Sequence, residues 1–167
     1  MRTVASLTFA CGCLLAVALA LPAGAAAGPA RLDKREKAMV RGINAQRARY
    51  GLAPVRANRR LGRAADYHSW EMLDANFFAH SSRDGGSFDA RIRRYANPRV
   101  LGETLAMLGG RCGRRSARRV VRMWMHSPGH RAILLSGKFR RIGLAKRTGR
   151  LGATRACVVT ADFASKR

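Results

Sequence analysis

The sequence predicts an α+β domain in which helices cover a β-sheet. Segments with helical periodicity and capping residues occupy the chain up to Leu135, and the segment from Arg140 onward has the alternation of a β-hairpin. Helices followed by strands favour an α+β architecture, since each element must bury its apolar face against another layer. Residues 1–27 are predicted below to be cleaved off, and the remaining 140 of the 167 residues are enough for one core.

Residues 1–27 are predicted to be a secretory signal peptide that is removed from the mature protein. Arg2 gives a weakly basic start, the stretch 4–21 is almost entirely apolar, and small residues follow up to Ala27. The alternative is a membrane anchor, since the apolar stretch approaches the roughly 20 residues of a spanning helix.

Cleavage before Gly28 divides the chain into a signal peptide at 1–27, an N-terminal segment at 28–35 and a domain at 36–167. The mature protein would then have no apolar stretch long enough to span a membrane. We therefore expect a secreted or periplasmic protein.

Capping residues indicate where the first two helices begin. Asp33 and Glu36 have the spacing of a capping box, and this first helix should end near Tyr50 and Gly51. Asn58 is placed to cap the second helix. One stripe of the second helix is expected to face the core, namely Leu61, Ala64, Ala65, His68 and Met72.

Shorter elements follow the second helix. Residues 77–86 read as an irregular segment, and Ser87 is expected to cap a short helix. The apolar stretch 100–108 predicts a buried strand. Ser116 and Ser127 are the predicted N-caps of two further helices.

The chain is expected to close with a β-hairpin. Segments 142–146 and 153–163 have the composition and alternation of strands. The residues between them, Thr148-Gly149-Arg150, are predicted to form the turn.

Cys112 and Cys157 are the two cysteines that follow the predicted signal peptide, and we expect them to form a disulfide. Closing a loop of about 45 residues would contribute roughly 4 kcal/mol in the chain-entropy description. The alternative, a cysteine nucleophile, has no neighbouring sequence signature.

The net charge is +24, from 33 basic and 9 acidic residues. Such an excess attracts polyanions. For an exported protein the predicted partners are anionic envelope polymers or lipids, including a membrane surface, whereas no motif points to nucleic acid. The alternative interpretation is that the arginines only cover a solvated surface. Nothing in the sequence predicts an oligomeric state.

Three polar residues are predicted to form the functional site, namely His80, Glu103 and His130. Glu103 is an isolated acid in an apolar stretch, and a buried carboxylate needs an arginine, a hydrogen-bond donor or a metal as its partner. His80 lies on the irregular segment, and His130 lies in a first helical turn, whose dipole favours a neutral imidazole. Two histidines and one carboxylate can form an open zinc site, although their spacing matches no local zinc motif.

Other residues near these motifs are weaker candidates. His68 lies on the inward stripe of its helix, where a hydrogen-bonded core histidine is favoured over a functional one. Ser127 and Arg131 flank His130 in the string Ser-Pro-Gly-His-Arg and are secondary candidates for the same cleft.

The chain resembles the bacterial CAP (SCP-like) superfamily in a series of ordered motifs. The main ones are Ile43-Asn44-Ala45-Gln46-Arg47, Phe77-Phe78-Ala79-His80, Gly102-Glu103, Trp124-Met125, Ser127-Pro128-Gly129-His130-Arg131 and Thr160-Ala161-Asp162-Phe163. Together they cover nearly all of residues 36–164. The resemblance implies a three-layer α-β-α sandwich with a central, mainly antiparallel sheet and a large cleft.

The same resemblance implies that His80, Glu103 and His130 line the cleft. In many family members two His and two Glu residues hold a divalent metal there, often zinc. The second Glu position is occupied by Ser127 in this chain. With three of the four positions filled, any zinc site is expected to be weak.

Three functions are compatible with these features. The favoured one is a non-catalytic binding module for an envelope component or a lipid. The second is a metal-assisted hydrolase acting on peptide or cell-wall bonds, in which Glu103 or a metal-bound water would be the base. In the third, His80, Glu103 and His130 form a buried hydrogen-bond network in a structural secreted protein.

Overall fold

The computed structural model describes residues 32–166, so the predicted signal peptide at 1–27 lies outside the described residues. The elements of this part are α1 (Lys34–Arg49), β1 (Arg56–Ala57), α2 (Arg59–Asp74), α3 (Phe88–Arg93), β2 (Leu101–Gly109), α4 (Ser116–His126), α5 (Pro128–Leu134), β3 (Phe139–Leu151) and β4 (Thr154–Ser165). The strands form one sheet in the order β1-β3-β4-β2. The β1–β3 pair is parallel and the other two pairs are antiparallel, which confirms a mainly antiparallel sheet. None of the helices within 32–166 is long and apolar enough to cross a membrane.

The first two helices begin where their capping residues predict, and α1 also ends close to the predicted position. The Asp33 side chain accepts hydrogen bonds from two backbone N–H groups of the first turn, and Glu36 accepts one from the Asp33 N–H at 2.8 Å. Gly51 follows α1 with a φ of 66°, a left-handed conformation that glycine adopts without steric cost. The Asn58 side chain caps α2, as predicted.

The two faces of the sheet bury different sets of apolar side chains. Odd-numbered residues of β4, from Cys157 to Phe163, pack with side chains of α1, α4 and α5. Even-numbered residues of β4, such as Val158 and Ala164, pack with side chains of α2 and α3. Because successive strand side chains point to opposite faces, helices cover both faces of the sheet. The predicted α+β class and α-β-α sandwich are confirmed.

Close packing of α2 on the sheet depends on Gly143 in β3. A Cβ atom at this position would lie 2.1 Å from the carbonyl carbon of Leu61 and 2.3 Å from the backbone nitrogen of Gly62. Both are backbone atoms of α2, which cannot move aside as a side chain can. Glycine therefore allows the helix to approach the strand at this point.

The turn of the closing hairpin lies elsewhere than predicted. The expected turn residues, 148–150, are paired with β4 inside the ladder. The chain reverses at Gly152 and Ala153, where Gly152 has a φ of 60°. The glycine at 149 is explained by Leu73 of α2, which covers this strand position: a Cβ at Gly149 would lie 3.0 Å from Leu73 Cδ1. This contact is remote in sequence, so the local turn pattern did not reveal it.

Two smaller features also differ from prediction. Ser116 is the first residue of α4, and the N-cap position is occupied by Arg115. Strand β1 was not predicted because two residues carry no periodicity. Ser127 does occupy the N-cap position of α5, although its side chain makes no capping hydrogen bond within the described chain.

Cys112 and Cys157 form the predicted disulfide. Cys112 lies in the segment between β2 and α4, and Cys157 lies in β4 with no exposed surface. Their Cα atoms are 5.0 Å apart. The bond therefore fastens the segment leading into α4 to a central strand of the sheet.

Candidate functional site

A pair of buried carboxyl groups lies between the sheet and α2. Glu103 of β2 and Asp162 of β4 are opposite each other in the antiparallel ladder. Glu103 is 2% exposed and Asp162 is fully buried. Two acids in an apolar interior are costly unless their charge is compensated.

Arg91 of α3 compensates this charge. It is 1% exposed, and its Nη2 donates a hydrogen bond to Glu103 Oε2. Its Nη1 donates to the carbonyl oxygen of His80 at 3.2 Å and to the hydroxyl oxygen of Ser82 at 2.9 Å. An arginine was one of the partners expected for an isolated buried acid, and the structure identifies it as Arg91.

His80 connects the buried charges with the surface. Its Nδ1 lies 2.8 Å from Glu103 Oε1, and because a carboxylate can only accept, Nδ1 is the donor. The His80 side chain is 53% exposed, and its ring lies edge-on to Phe88 with the ring centroids 6.5 Å apart. This geometry leaves Nε2 as the ring nitrogen available to solvent or a ligand.

His68 and Glu71 of α2 complete the network on its inner side. His68 Nδ1 lies 2.5 Å from Glu71 Oε1, and His68 Nε2 lies 2.9 Å from the carbonyl oxygen of Ala79. Glu71 Oε1 lies 3.8 Å from Arg91 Nη1. Burial lowers the pKa of His68, while the charge of Glu103 opposes that shift. His68 is a hydrogen-bonded core histidine, as its helix position favoured.

Asp162 is the acid whose environment favours the neutral form. Its carboxyl oxygens are buried and have no hydrogen-bond donor among residues 32–166. Burial, and after it the charge of Glu103, raises the pKa of Asp162 well above its usual range, although Arg91 opposes the shift. A protonated Asp162 has the Glu103 carboxylate beside it as an acceptor. Glu71 and Glu103 are the two carboxyl groups that lie within ion-pair distance of Arg91.

Sequence reasoning missed three members of this network, namely Glu71, Arg91 and Asp162. Glu71 had a usable signal, since it lies one helical turn after His68. Asp162 had one too, as an acid within an apolar strand. Arg91 had none, because the sequence holds 33 basic residues and no local pattern distinguishes this one.

His130 lies in α5, near His80. Burial, followed by the charge on His80, lowers the pKa of His130 and so favours the neutral imidazole. The secondary candidate Arg131 is engaged at the end of α1, since its Nη2 donates to the Tyr50 hydroxyl oxygen at 2.8 Å. Its guanidinium also lies over the Tyr50 ring, 5.4 Å from the centroid.

The network differs from a three-ligand zinc site. Both oxygens of Glu103 already accept hydrogen bonds, one from His80 and one from Arg91. Across the described part of the chain, no group of three or more His, Cys, Asp or Glu residues is arranged to hold a metal ion. Glu103 instead has the role of a carboxylate that orients a histidine. His80 Nε2 and His130 would be the nitrogen ligands of an ion, and the three-residue zinc site stays a prediction.

A mixed four-stranded sheet flanked by helices, with a buried His/Glu network beneath α2, defines a CAP-type domain. The model of the cysteine-rich secretory protein (CAP) family matches residues 40–162, so the chain belongs to this family. The chain is also 33% identical over 117 residues to the uncharacterized protein YkwD of Bacillus subtilis. That match covers 70% of this chain and 44% of YkwD, so the chain spans less than half the length of this curated relative.

Solved structures share the fold. An outer surface protein of Borrelia burgdorferi superposes with a TM-score of 0.67 at 19% identity, covering 81% of this chain and 97% of that one. An extracellular protein containing an SCP domain, from Bacillus anthracis, gives 0.60 at 23% identity, covering 81% and 45%. At these identities the likeness concerns the fold alone. The resemblance to bacterial CAP domains that the motifs indicated is confirmed.

Proposed function

We propose that this protein is an extracytoplasmic, non-catalytic module that binds an anionic component of the cell envelope, either a polymer or a lipid. The main supporting observation is that every Asp and Glu side chain already has a partner or a capping role within the protein. The sequence has 9 acids against 33 basic residues. The remaining positive charge has no counterpart within the protein and attracts polyanions.

The acids fall into three groups. Glu71, Glu103 and Asp162 lie in the buried network. Five of the others form ion pairs, which are Asp33–Lys146, Asp66–Arg147, Asp74–Arg83, Asp84–Arg94 and Asp89–Arg93. The ninth, Glu36, belongs to the capping box of α1. The uncompensated cations are therefore available to an external ligand.

A location outside the cytoplasm rests on two further points. The Cys112–Cys157 disulfide is of a kind that persists in oxidising compartments. The predicted signal peptide and membership of a family named for secretory proteins agree with it. We infer that the mature protein is secreted or periplasmic.

A non-catalytic role is supported by the chemistry of the network. A hydrolase would need a carboxylate that can reach water or substrate. Glu103 is buried and both of its oxygens accept hydrogen bonds, and Asp162 is fully buried with its pKa raised. We assign to His80, Glu103 and His130 the polar floor of the family's cleft, where zinc would be held weakly by the two imidazoles.

The experiment that tests this function is binding of the mature protein to envelope-type polyanions. A poly(glycerol phosphate) chain and phosphatidylglycerol vesicles are the probes, with a neutral dextran as the control. We expect binding at about 50 mM salt that is mostly lost by about 500 mM, because screening weakens contacts between exposed charges. Absence of binding at low salt would reject the function, and binding that persists unchanged at high salt would reject its electrostatic basis.

A further inference from the structure

We propose that the anion binds in a basic groove beside the beginning of α2, and that the ligand is a polymer of phosphodiester-linked units. This inference rests on the proposed function and adds the site and the ligand chemistry. The groove consists of two adjoining cavities that share Asn58 and Arg141. Its basic lining residues are Arg56, Arg59, Arg60, Arg140, Arg141 and Lys166.

The two cavities have volumes of about 290 Å³ and about 420 Å³. The first lies between the start of α2 and the segment 96–98, and the second between the segment 53–57 and the start of β3. Cavities of this size are in or near the range that holds small organic groups. Two such cavities on either side of Arg141 fit two successive anionic groups of a chain better than one isolated ion.

Strand β1 creates this concentration of positive charge. It pairs with β3 so that Arg56 is registered opposite Arg141. The Asn58 N–H then donates to the Ile142 carbonyl oxygen at 2.8 Å, and the Asn58 side chain caps α2. As a result the next two arginines occupy the first turn of α2.

Both placements of charge are unfavourable for the fold alone. Like charges opposite each other on neighbouring strands destabilise a sheet, which applies to Arg56 and Arg141. Cations in the first turn of a helix oppose its dipole, which applies to Arg59 and Arg60. Local charge conflicts of this kind are expected at binding sites, and a bound anion relieves both of them.

No aspartate or glutamate side chain within residues 32–166 compensates these cations. All nine acids are placed elsewhere, in the buried network, the ion pairs and the cap described above. Within residues 32–166, none of the six basic side chains forms an ion pair with an acidic residue. Arg140 alone among the six donates side-chain hydrogen bonds in this part of the chain, to the carbonyl oxygens of Gly137 and Phe139.

The lining favours phosphate groups and a polymer over a membrane surface. Most of the cations are arginines, whose planar guanidinium matches two phosphate oxygens at once. Binding to a membrane interface normally also buries apolar side chains. The large exposed apolar residues of the described chain, Tyr50, Trp70, Phe78, Met107 and Met123, do not line the groove.

The test compares two triple variants of the full mature protein that remove the same charge. The groove variant carries Arg56→Gln, Arg60→Gln and Arg141→Gln. The control carries Arg118→Gln, Arg119→Gln and Arg122→Gln on α4, where the three side chains are exposed and line neither cavity. We expect the groove variant to bind poly(glycerol phosphate) at least about tenfold more weakly than wild type, and the control less than about threefold, because lost contacts outweigh lost net charge.

Three outcomes would overturn the inference while leaving the proposed function in place. In the first, the two variants lose equal affinity for poly(glycerol phosphate). In the second, the wild type binds poly-glutamate of matched length as tightly as it binds poly(glycerol phosphate). In the third, the groove variant loses binding to the vesicles but keeps binding to the polymer. If the wild type binds none of the anionic probes, the proposed function itself is rejected. The groove variant should melt at or above the wild-type temperature without polymer, since it loses a like-charge pair, and this shows that weaker binding does not reflect unfolding.

Discussion

Arg91 and Glu103 are both buried, so each of these charges depends on the other. Arg91 also compensates Glu71, and Glu103 also orients His80. Removing one partner of a buried ion pair leaves an uncompensated charge in the interior, which costs more than the pair itself stabilises. At the residue scale, we therefore expect the network to support the folded state, besides the cleft role proposed for it.

Replacing Arg91 tests this dependence. Arg91→Met keeps much of the side-chain volume but removes the guanidinium, so we expect a loss of about 3–5 kcal/mol in the free energy of unfolding, measured with urea. Arg93→Met, an exposed site on the same helix, is the matched control and should change stability little. Similar stabilities for the two variants would show that the network does not support the fold.

Asp162 should make stability fall as pH rises. Its pKa in the folded protein is raised above the unfolded value, so its contribution is complete below that unfolded value, 3.8, and is lost as pH rises toward the folded pKa. Asp162→Asn keeps the shape without the ionisation. From about pH 4 upward, and until the pH reaches the folded pKa, the variant should gain stability relative to wild type by up to about 1.4 kcal/mol per pH unit.

Urea unfolding of both proteins across this pH range checks the prediction. The difference between them isolates Asp162 from His68, whose lowered pKa acts in the opposite direction, since that contribution is lost as pH falls. A constant difference at every pH would mean that Asp162 is not held protonated.

Part of the site was predictable because its chemistry is local. An isolated acid in an apolar strand needs a partner, and this alone predicted a partner for Glu103. The position of Asp162 opposite Glu103 depends on strand register. The contact of Arg91 with Glu103 depends on how α3 packs. Neither follows from a local pattern, so these contacts appeared only in the folded structure.

At the scale of elements, the contact between α2 and β3 fixes the position of the network. Gly143 lies under Leu61 and Gly62, and the same helix carries His68 and Glu71 down onto the sheet. Local capping signals predicted where α1 and α2 begin. The predicted position of the hairpin turn was wrong, because the glycine at 149 is explained by its contact with Leu73 and not by turn geometry.

Substituting Gly143 tests the close approach of the helix. Gly143→Ala should destabilise the protein by at least about 3 kcal/mol, since the added Cβ would overlap backbone atoms of α2. Gly109→Ala at the end of β2 is the control, because a Cβ there meets no atom within 4 Å. Thermal unfolding of both variants checks this, and equal melting temperatures would contradict the packing described for Gly143.

At the scale of the whole molecule, the disulfide joins two parts of the chain that are 45 residues apart. Replacing both cysteines, as Cys112→Ala with Cys157→Ala, should cost roughly 4 kcal/mol by releasing this loop in the unfolded chain. Dithiothreitol should lower the melting temperature of the wild type and leave the double variant unchanged. A reductant effect of equal size on both proteins would show that the loss has another cause.

The distribution of charge follows one pattern across the molecule. Acids are few, and the structure places each of them in a cap, an ion pair or the buried network. The basic residues outnumber them and concentrate, among other places, around the two adjoining cavities beside α2. We therefore expect ligand binding to depend mainly on these cations and only weakly on a metal in the cleft.

Thermal melting with added ligand tests this expectation most directly, because a ligand that binds the folded state must raise the melting temperature. The mature protein would be melted with poly(glycerol phosphate), with zinc and with a chelator, each at low and high salt. We expect the polymer to raise the melting temperature at low salt, high salt to remove this increase, and zinc to have a much smaller effect. A large increase with zinc that the chelator reverses, together with no increase from the polymer, would contradict this expectation.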